Sequence, residues 1–510
     1  MPVLSRRTKV ERSRGRAVME TESADVAVIG GGVAGMSTAA RLQADGYSTV
    51  VLEQHHSVGG CAGFYERAGF RFDVGATTLV DFVPGGVGGQ LLSTVGFDPP
   101  EITIQDAYDL WLPDRTVTLY RDHTDWDVER RAKLGDDRRH LAFYDFIDDL
   151  STRLWKLTRR DIKMPIQGVD DIVRNARAVG LRDLPLVRYL RWTMADAMRA
   201  HDVYDDRALR AVVSMLVEDT VHASLEEAPL LNAVLGMTIH RTGLGRATGG
   251  MYGFWDSFVD QYTDIGGRVE TGRTVTEVTG SQGDFRVNSA AGPVHAEQVV
   301  STVPVPVTRD LAPTVIGDRL DEYCSMLRDH EGSALVLFLG VPDTEVEGHE
   351  RTHHQILQDY DEPLGNGNNM FVSVSAPGDD VSAPAGHRAV MLSTHCGVEP
   401  WQGLDRAAYE DKKAVAREQL RAGGRTVYPD LGTDPVVSEV ATPVTYEQFT
   451  NRPRGAVGGY KQTPANANQG AVPQDVGVEG FYLAGDTTWP GLGTVACVKG
   501  SKIAADHVRG

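Results

Sequence analysis

Gly30, Gly32 and Gly35 stand in a Gly-x-Gly-x-x-Gly spacing, and the chemistry of that spacing is pyrophosphate binding. Gly30 permits a tight turn. Gly32 lets the backbone approach a phosphate with no Cβ in the way, and Gly35 lets the following helix sit close on its strand. The positive end of that helix then faces the anion. Glu53, 18 residues beyond Gly35, is placed to accept hydrogen bonds from an adenosine ribose.

Those residues work only if particular elements hold them. Residues 25–30 form an apolar run fit for a buried parallel strand, and 36–44 read as a helix ended by Gly46. Residues 49–53 supply a second strand, which completes a βαβ unit. The stretch 137–223 is helical in pattern and rich in Arg and aromatic residues. After Gly249-Gly250 comes a helix over 251–264, then a β-meander at 268–270, 274–278, 285–288 and 294–301. Further strands are expected at 334–339, 370–374, 389–393 and 481–484, and helices at 405–422 and 494–507. Residues 451–480, rich in Gly, Pro, Asn and Gln, read as an ordered active-site loop.

The fold class is therefore α/β: a discontinuous Rossmann-like dinucleotide-binding domain with an inserted mixed-sheet substrate domain and a helical insert. The expected boundaries are a disordered tail at 1–23, the dinucleotide domain at 24–92, 245–305 and 478–510, the substrate domain at 93–136 and 306–477, and the insert at 137–244. The chain has 510 residues, 41% of them apolar, which suffices for such a core. Its net charge of −19 argues against a general nucleic-acid binder. Cys61, Cys324, Cys396 and Cys497 include no Cys-x-x-Cys pair, so neither a zinc site nor a redox pair is indicated, and a reducing, cytoplasmic setting is expected. No uncharged apolar run reaches the roughly 18 residues of a membrane span. Arg6 and Arg7 suggest a twin-arginine signal, but no apolar run follows. The segment reads as a tail, with Met19 as an alternative start.

The Rossmann unit leaves NAD and FAD both open. Gly59-Gly60, just past the ribose strand, and the terminal Gly485-Asp486 resemble the flavoproteins of the amine-oxidase and carotenoid-desaturase superfamily. The stretch from Gly63 to Thr77 looks like the carotenoid desaturase and isomerase family. Residues 449–459 and 481–491 are similar to its bacterial 3,4-desaturase branch. Ala76 stands where many phytoene desaturases have Pro, and Cys61 where amine oxidases usually have Arg, which counts against an amine substrate. The resemblance implies one FAD. It implies flavin-neighbouring roles for Gly59, Gly60, Gly75, Ala76 and Thr77, a backbone contact from Val275 to the adenine, and ribityl hydrogen bonds to Asp486. The helix opened by Gly493, Thr494 and Val495 would point at the flavin pyrimidine edge, where a positive helix end stabilises the anion of a reduced flavin.

Other residues have plainer readings. His55-His56 and His353-His354 are adjacent pairs, and neighbours on a strand point to opposite faces, so no metal site is expected. Asp122, His123, Asp125 and Asp127 read as a solvated face, and Cys497 as core. Between residues 173 and 199, Arg174, Arg177, Arg182, Arg188, Arg191 and Arg199 alternate with Val173, Leu181, Leu184, Leu186, Val187, Tyr189, Leu190 and Trp192. That pattern suits an interfacial helix on anionic lipid, and an amphipathic core helix explains it almost as well. The expectation is an FAD-dependent oxidoreductase of a long apolar polyene, a carotenoid desaturase peripherally bound to the inner membrane face. No general base is named from the sequence. A carotenoid cis–trans isomerase or a saturase is the alternative within the family, and a flavin amine oxidase the alternative outside it. A non-enzymatic flavin-binding scaffold has little support.

Overall fold

The Val-rich runs that frame the glycine turn are buried on both faces, as parallel strands between layers must be. In the computed structural model, which describes residues 22–180 and 183–510, they are β1 (Glu22–Ile29) and β2 (Thr49–Leu52), joined by α1 (Val33–Ala44). Both strands pair in parallel, and β1 runs parallel to the strand Val294–Ser301 on its other side. The strand Phe481–Leu483 adds in parallel to Val294–Ser301, and Asp284–Ser289 and Val275–Ser281 continue the sheet as an antiparallel meander. One layer is α1 packed on the last helix, Thr494–Arg509. The other buries Ile29, Leu52, Val299 and Phe481 against Val305, Ile316 and Leu320.

Two expectations change here. The first strand begins at Glu22, inside the stretch assigned to a tail, because Glu22, Ser23 and Ala24 pair with Val294, His295 and Ala296. Residues 268–270 are not part of the meander: Arg268–Glu270 is an edge strand parallel to β2. The N-terminal arginines, Met19, Leu181 and Arg182 lie outside the described residues.

A second sheet runs Val437–Ala441, Ser333–Pro342, His387–Cys396, Asn369–Val374, His353–Leu357, Ala107–Leu112, Arg115–Tyr120. Its pairings are antiparallel except that of His353–Leu357 with Ala107–Leu112. Alternation along Ser333–Pro342 sorts the faces. Leu335, Leu337 and Leu339 join Leu420 of the helix Arg406–Gly424 in a core. Ala334, Val336 and Phe338 face a cavity.

Among the described residues six α-helices between His123 and Met237 form the insert, and aspartates start three of them. Asp122 is therefore a helix cap, not merely a solvated charge: its Oδ1 accepts from the Thr124 and Asp125 amides. Asp127 pairs with Arg130 and Arg131. The segment 173–199 is not one amphipathic helix. It is the end of Val169–Val179, a 3₁₀ turn Leu184–Tyr189 and the start of Met194–Ala200.

A buried ion pair ties these parts together. Asp73 ends the strand Phe70–Asp73, and its Oδ2 accepts from Arg246 Nη1 at 2.8 Å. Its Oδ1 accepts from the Met251 amide, at the start of the helix Gly250–Asp264. Burial pushes the Asp73 carboxyl up, with Arg246 opposing. Arg246→Met strands the carboxylate and should cost about 3–5 kcal/mol. The double variant Asp73→Asn/Arg246→Met should cost less than Arg246→Met alone. Urea unfolding midpoints of the three proteins check the order.

Candidate functional site

A cavity of about 1240 Å³ lies between the two sheets and the helical insert. One small ligand needs roughly 300–1,000 Å³, so this space holds a dinucleotide and a second molecule. Gly30, Gly32, Glu53, Gly59 and Gly60 line its polar end, together with Gly485, Asp486, Gly493, Thr494 and Val495.

The glycine turn has the shape a pyrophosphate needs. Gly30 has φ +100°, and a Cβ on Gly35 would lie 1.9 Å from the Gly30 carbonyl oxygen. A Cβ on Gly32 would meet nothing nearer than 3.9 Å, so it would point into open cavity. The first turn of α1 has no side-chain cap, which leaves its amides free for an anion. Glu53 accepts from the Gly31 amide at 2.7 Å and the His55 amide at 2.7 Å, and burial raises its carboxyl. Gly59 has φ +116°, and its bare Cα fits under Trp255, whose indole donates to the Ala62 carbonyl at 2.7 Å.

Gly75, Ala76 and Thr77 also line the cavity. A Cβ on Gly75 would lie 2.3 Å from the Cys61 carbonyl oxygen, so this approach also requires glycine. The last helix begins at Thr494 without a side-chain cap, and the buried Thr494 Oγ1 has no partner among the described residues. An orphaned hydroxyl and free helix amides facing the cavity are what the edge of a flavin can satisfy. The residues present therefore fit FAD.

The structure departs from expectation at several positions. The Val275 side chain is buried in the core with Ile29 and Leu52 and is not part of the cavity wall, which leaves the expected backbone contact to an adenine untested. Cys497 is half-buried: it packs against the core of α1 and the last helix, as expected, and also lines the cavity, because its helix begins at the cavity wall. His55 and His56 follow the end of β2, so the strand alternation does not apply, and their rings touch with centroids 3.9 Å apart. Among the described residues no group of three or more metal-ligating side chains forms. Trp192 packs against the insert's core with Tyr189, so it is not a surface anchor.

Two features were not anticipated from the sequence. Asp486 Oδ2 accepts from Arg452 Nη2 at 2.6 Å. Burial works against the Arg452 charge, but Asp486 outweighs it and raises the guanidinium. The second is a cluster of Glu218, Asp219, His222 and His395. Burial disfavours the His395 cation, but Glu218 outweighs that and raises the imidazole to about 9. Burial lowers His222 to about 3, with His395 adding to the effect. Such partners lie far apart in the chain, and no local spacing announces them.

Two glycines separate folding from cofactor binding. Gly32→Val should give a folded protein that no longer retains a flavin, because the side chain would occupy open cavity where a pyrophosphate would lie. Gly35→Val should not accumulate as folded protein, since its Cβ collides with the Gly30 carbonyl. Circular dichroism and flavin absorbance after reconstitution read the two effects apart.

Comparison with known proteins agrees with this geometry. Residues 28–92 match an NAD(P)-binding Rossmann-like domain, and residues 196–509 match the flavin containing amine oxidoreductases. The chain is 26% identical over 503 residues to a chloroplastic prolycopene isomerase of Daucus carota, covering 95% of this chain and 80% of that protein. It is 22% identical over 513 residues to a 4,4′-diapophytoene desaturase (4,4′-diaponeurosporene-forming) of Staphylococcus aureus, covering 95% of this chain and 98% of that one. Among solved structures, a putrescine oxidase superposes with a TM-score of 0.63 at 14% identity, covering 96% of this chain and 100% of that chain. An oxidoreductase from Methanosarcina mazei superposes with a TM-score of 0.62 at 16% identity, covering 94% of this chain and 98% of that one. With more than half its length in the family match, the chain belongs to the flavin containing amine oxidoreductase family and is an oxidoreductase with FAD as its cofactor.

Proposed function

We propose that the protein desaturates a long apolar polyene of the carotenoid class. The observation that carries this reading is the apolar arm of the cavity. It is walled by Val80, Leu154, Leu157, Leu186, Leu235 and Ile239 and is continuous with the polar end. Such a wall suits a hydrocarbon, since each buried CH₂ contributes about 0.8 kcal/mol. Bound FAD supplies a two-electron acceptor for a hydride. Gly32 and the α1 amides hold its pyrophosphate, Glu53 its ribose and Asp486 its ribityl chain. Arg452 fixes the Asp486 carboxylate. Gly59, Gly60, Gly75, Ala76 and Thr77 shape the adjoining wall, and the amides at Thr494 and Val495 face the flavin ring.

Isomerisation of a polyene at constant mass is the second reading, and the higher identity to the prolycopene isomerases favours it. Incubation of the FAD-loaded protein with 4,4′-diapophytoene and with prolycopene separates the two. Loss of hydrogen with a longer-wavelength spectrum is expected from the first probe. A changed isomer of unchanged mass from the second, with the first untouched, would replace desaturation by isomerisation. Conversion of neither would remove the polyene reading.

The same arm supports docking at a membrane surface. No helix among the described residues is long and apolar enough to span a bilayer. At the cavity's insert side, Ile166, Ile172, Leu184 and Val187 both line the cavity and stand exposed, next to Val169 and Val173. Val169 is 74% and Val187 61% exposed, a poor arrangement in water and a good one in lipid. Arg177, Arg188 and Arg191 are exposed in the same segments and suit anionic headgroups. Replacing Ile172, Val173 and Val187 together by Glu should release the protein from anionic liposomes and leave its flavin spectrum intact. Cosedimentation equal to that of the parent would refute docking by this face.

A further inference from the structure

An apolar cavity that removes hydrogen from a hydrocarbon needs somewhere to put a proton. Among the described residues six carboxylates line the cavity, and five are engaged. Glu53 holds backbone amides, Glu66 pairs with Arg71, Glu439 with Arg67 and Asp486 with Arg452, while Asp183 lies 3.9 Å from Arg153. Asp219 is the sixth. Among the described residues its carboxylate has no hydrogen-bond or ion-pair partner. The residue is enclosed by protein, yet its surface is exposed, which means that it is open to the cavity interior.

Asp219 does not stand alone. It lies in the last turn of the helix Arg207–Val221, beside Glu218, and the next residue after that helix is His222. Glu218 Oε1 is 3.2 Å from His395 Nδ1, and its Oε2 accepts from Asn369 Nδ2 at 2.7 Å. The His222 and His395 rings lie with centroids 4.6 Å apart. The cluster reaches the cofactor end through one loop. A Cβ on Gly458 would lie 2.6 Å from His222 Cε1, and one on Gly459 would lie 3.0 Å from the Asp486 carbonyl oxygen.

We propose that Asp219 takes the proton released from the substrate carbon, with His222 and the Glu218–His395 pair as positioning residues; this rests on the polyene reading above. The balance is simple. One C–H bond breaks and its hydrogen leaves with both bonding electrons as hydride, which bound FAD would accept. The C–H bond on the neighbouring carbon also breaks, its electron pair becomes the new C=C bond, and its proton goes to an Asp219 carboxylate oxygen. The acid returns that proton to solvent between turnovers.

The surroundings tune this group. Burial raises the Asp219 carboxyl to about 6, His395 opposes the rise and Glu218 adds to it. Tyr108, on the facing strand, stays a neutral phenol because burial and Asp219 both raise it. His222 is neutral. The base form of Asp219 therefore grows as pH rises through about 6. Replacing His395 removes the opposing cation and moves that limb to higher pH.

The test uses FAD-loaded protein with 4,4′-diapophytoene in liposomes as the probe. Asp219→Asn should lower kcat by about 10²-fold or more. It should leave KM, the flavin spectrum and polyene binding, read by tryptophan quenching, as in the parent. The acid limb should vanish in Asp219→Asn and shift upward in His395→Gln, an effect that a merely structural role would not give. A limb that persists in Asp219→Asn overturns the proposal. Infrared difference spectra between about pH 5 and about pH 8 supply a readout without turnover. A carboxyl band absent from Asp219→Asn and displaced by bound polyene supports the assignment. A band that the polyene leaves unmoved overturns it. If the parent converts no polyene, the desaturation reading falls, and the infrared band still decides the role of Asp219.

Discussion

Backbone meets backbone in the turn after β1, and at Gly35 the spacing leaves no room for a side chain. Gly35 packs on the Gly30 carbonyl, Gly32 bridges to Gly59, and Thr302 donates to the Ile29 and Gly30 carbonyls. Each contact joins a different part of the chain to one phosphate-sized opening. Gly485 closes the same ring, where a Cβ would lie 3.0 Å from the Thr302 carbonyl oxygen. A domain assembled from distant pieces of sequence is held in register by this junction. The cavity exists because the pieces can approach so closely without filling it.

What can be read from the sequence follows from the range of the interactions involved. The βαβ unit, the meander strand Val294–Ser301 and the helix from Thr494 are encoded by runs of neighbouring residues, and the expectations for them agree with the structure. Pairing across the chain is not encoded that way. Nothing near Glu22 announces that it aligns with Val294, and nothing near residue 268 says that the strand lies beside β2. Gly30, Gly32, Gly35 and Glu53 could be singled out because dinucleotide chemistry imposes a spacing, whereas Gly59, Gly60, Gly75 and Asp486 were expected only from the resemblance. Arg452 with Asp486, and Glu218 with His395, impose none: each pair is a contact made by the tertiary fold. Trp192 shows the converse, since its neighbours in sequence suggest a surface and its neighbours in space make a core.

Charge is handled differently at the two ends of the cavity. At the cofactor end, Arg452 and Asp486 neutralise each other, and each remains available to a polar ligand on its other atoms. Leaving either alone in that enclosure would be costly, which is why such groups occur in pairs. In the cluster on the helix Arg207–Val221, the pairing is incomplete. Glu218 and His395 satisfy each other, while Asp219 and His222 stay open to the cavity. Leaving a carboxyl open here carries an energetic cost, which accords with the role proposed for Asp219.

The apolar arm links that feature to the surface. A hydrocarbon that filled the arm would displace water from around Asp219. Displacement raises the carboxyl further, since desolvation disfavours the charged form. A carboxylate kept ionised against that pull becomes a stronger base at the moment the substrate arrives. Here the His395 cation supplies the opposing force, because it lowers the carboxyl without bonding to it. The cation is retained in turn by Glu218, whose charge and hydrogen bond together outweigh the burial of the imidazole. On the proposed reading, entry of an apolar molecule at Ile172 and Val187 and activation of a carboxylate in the cavity would thus be two effects of one event, the removal of water from a single arm.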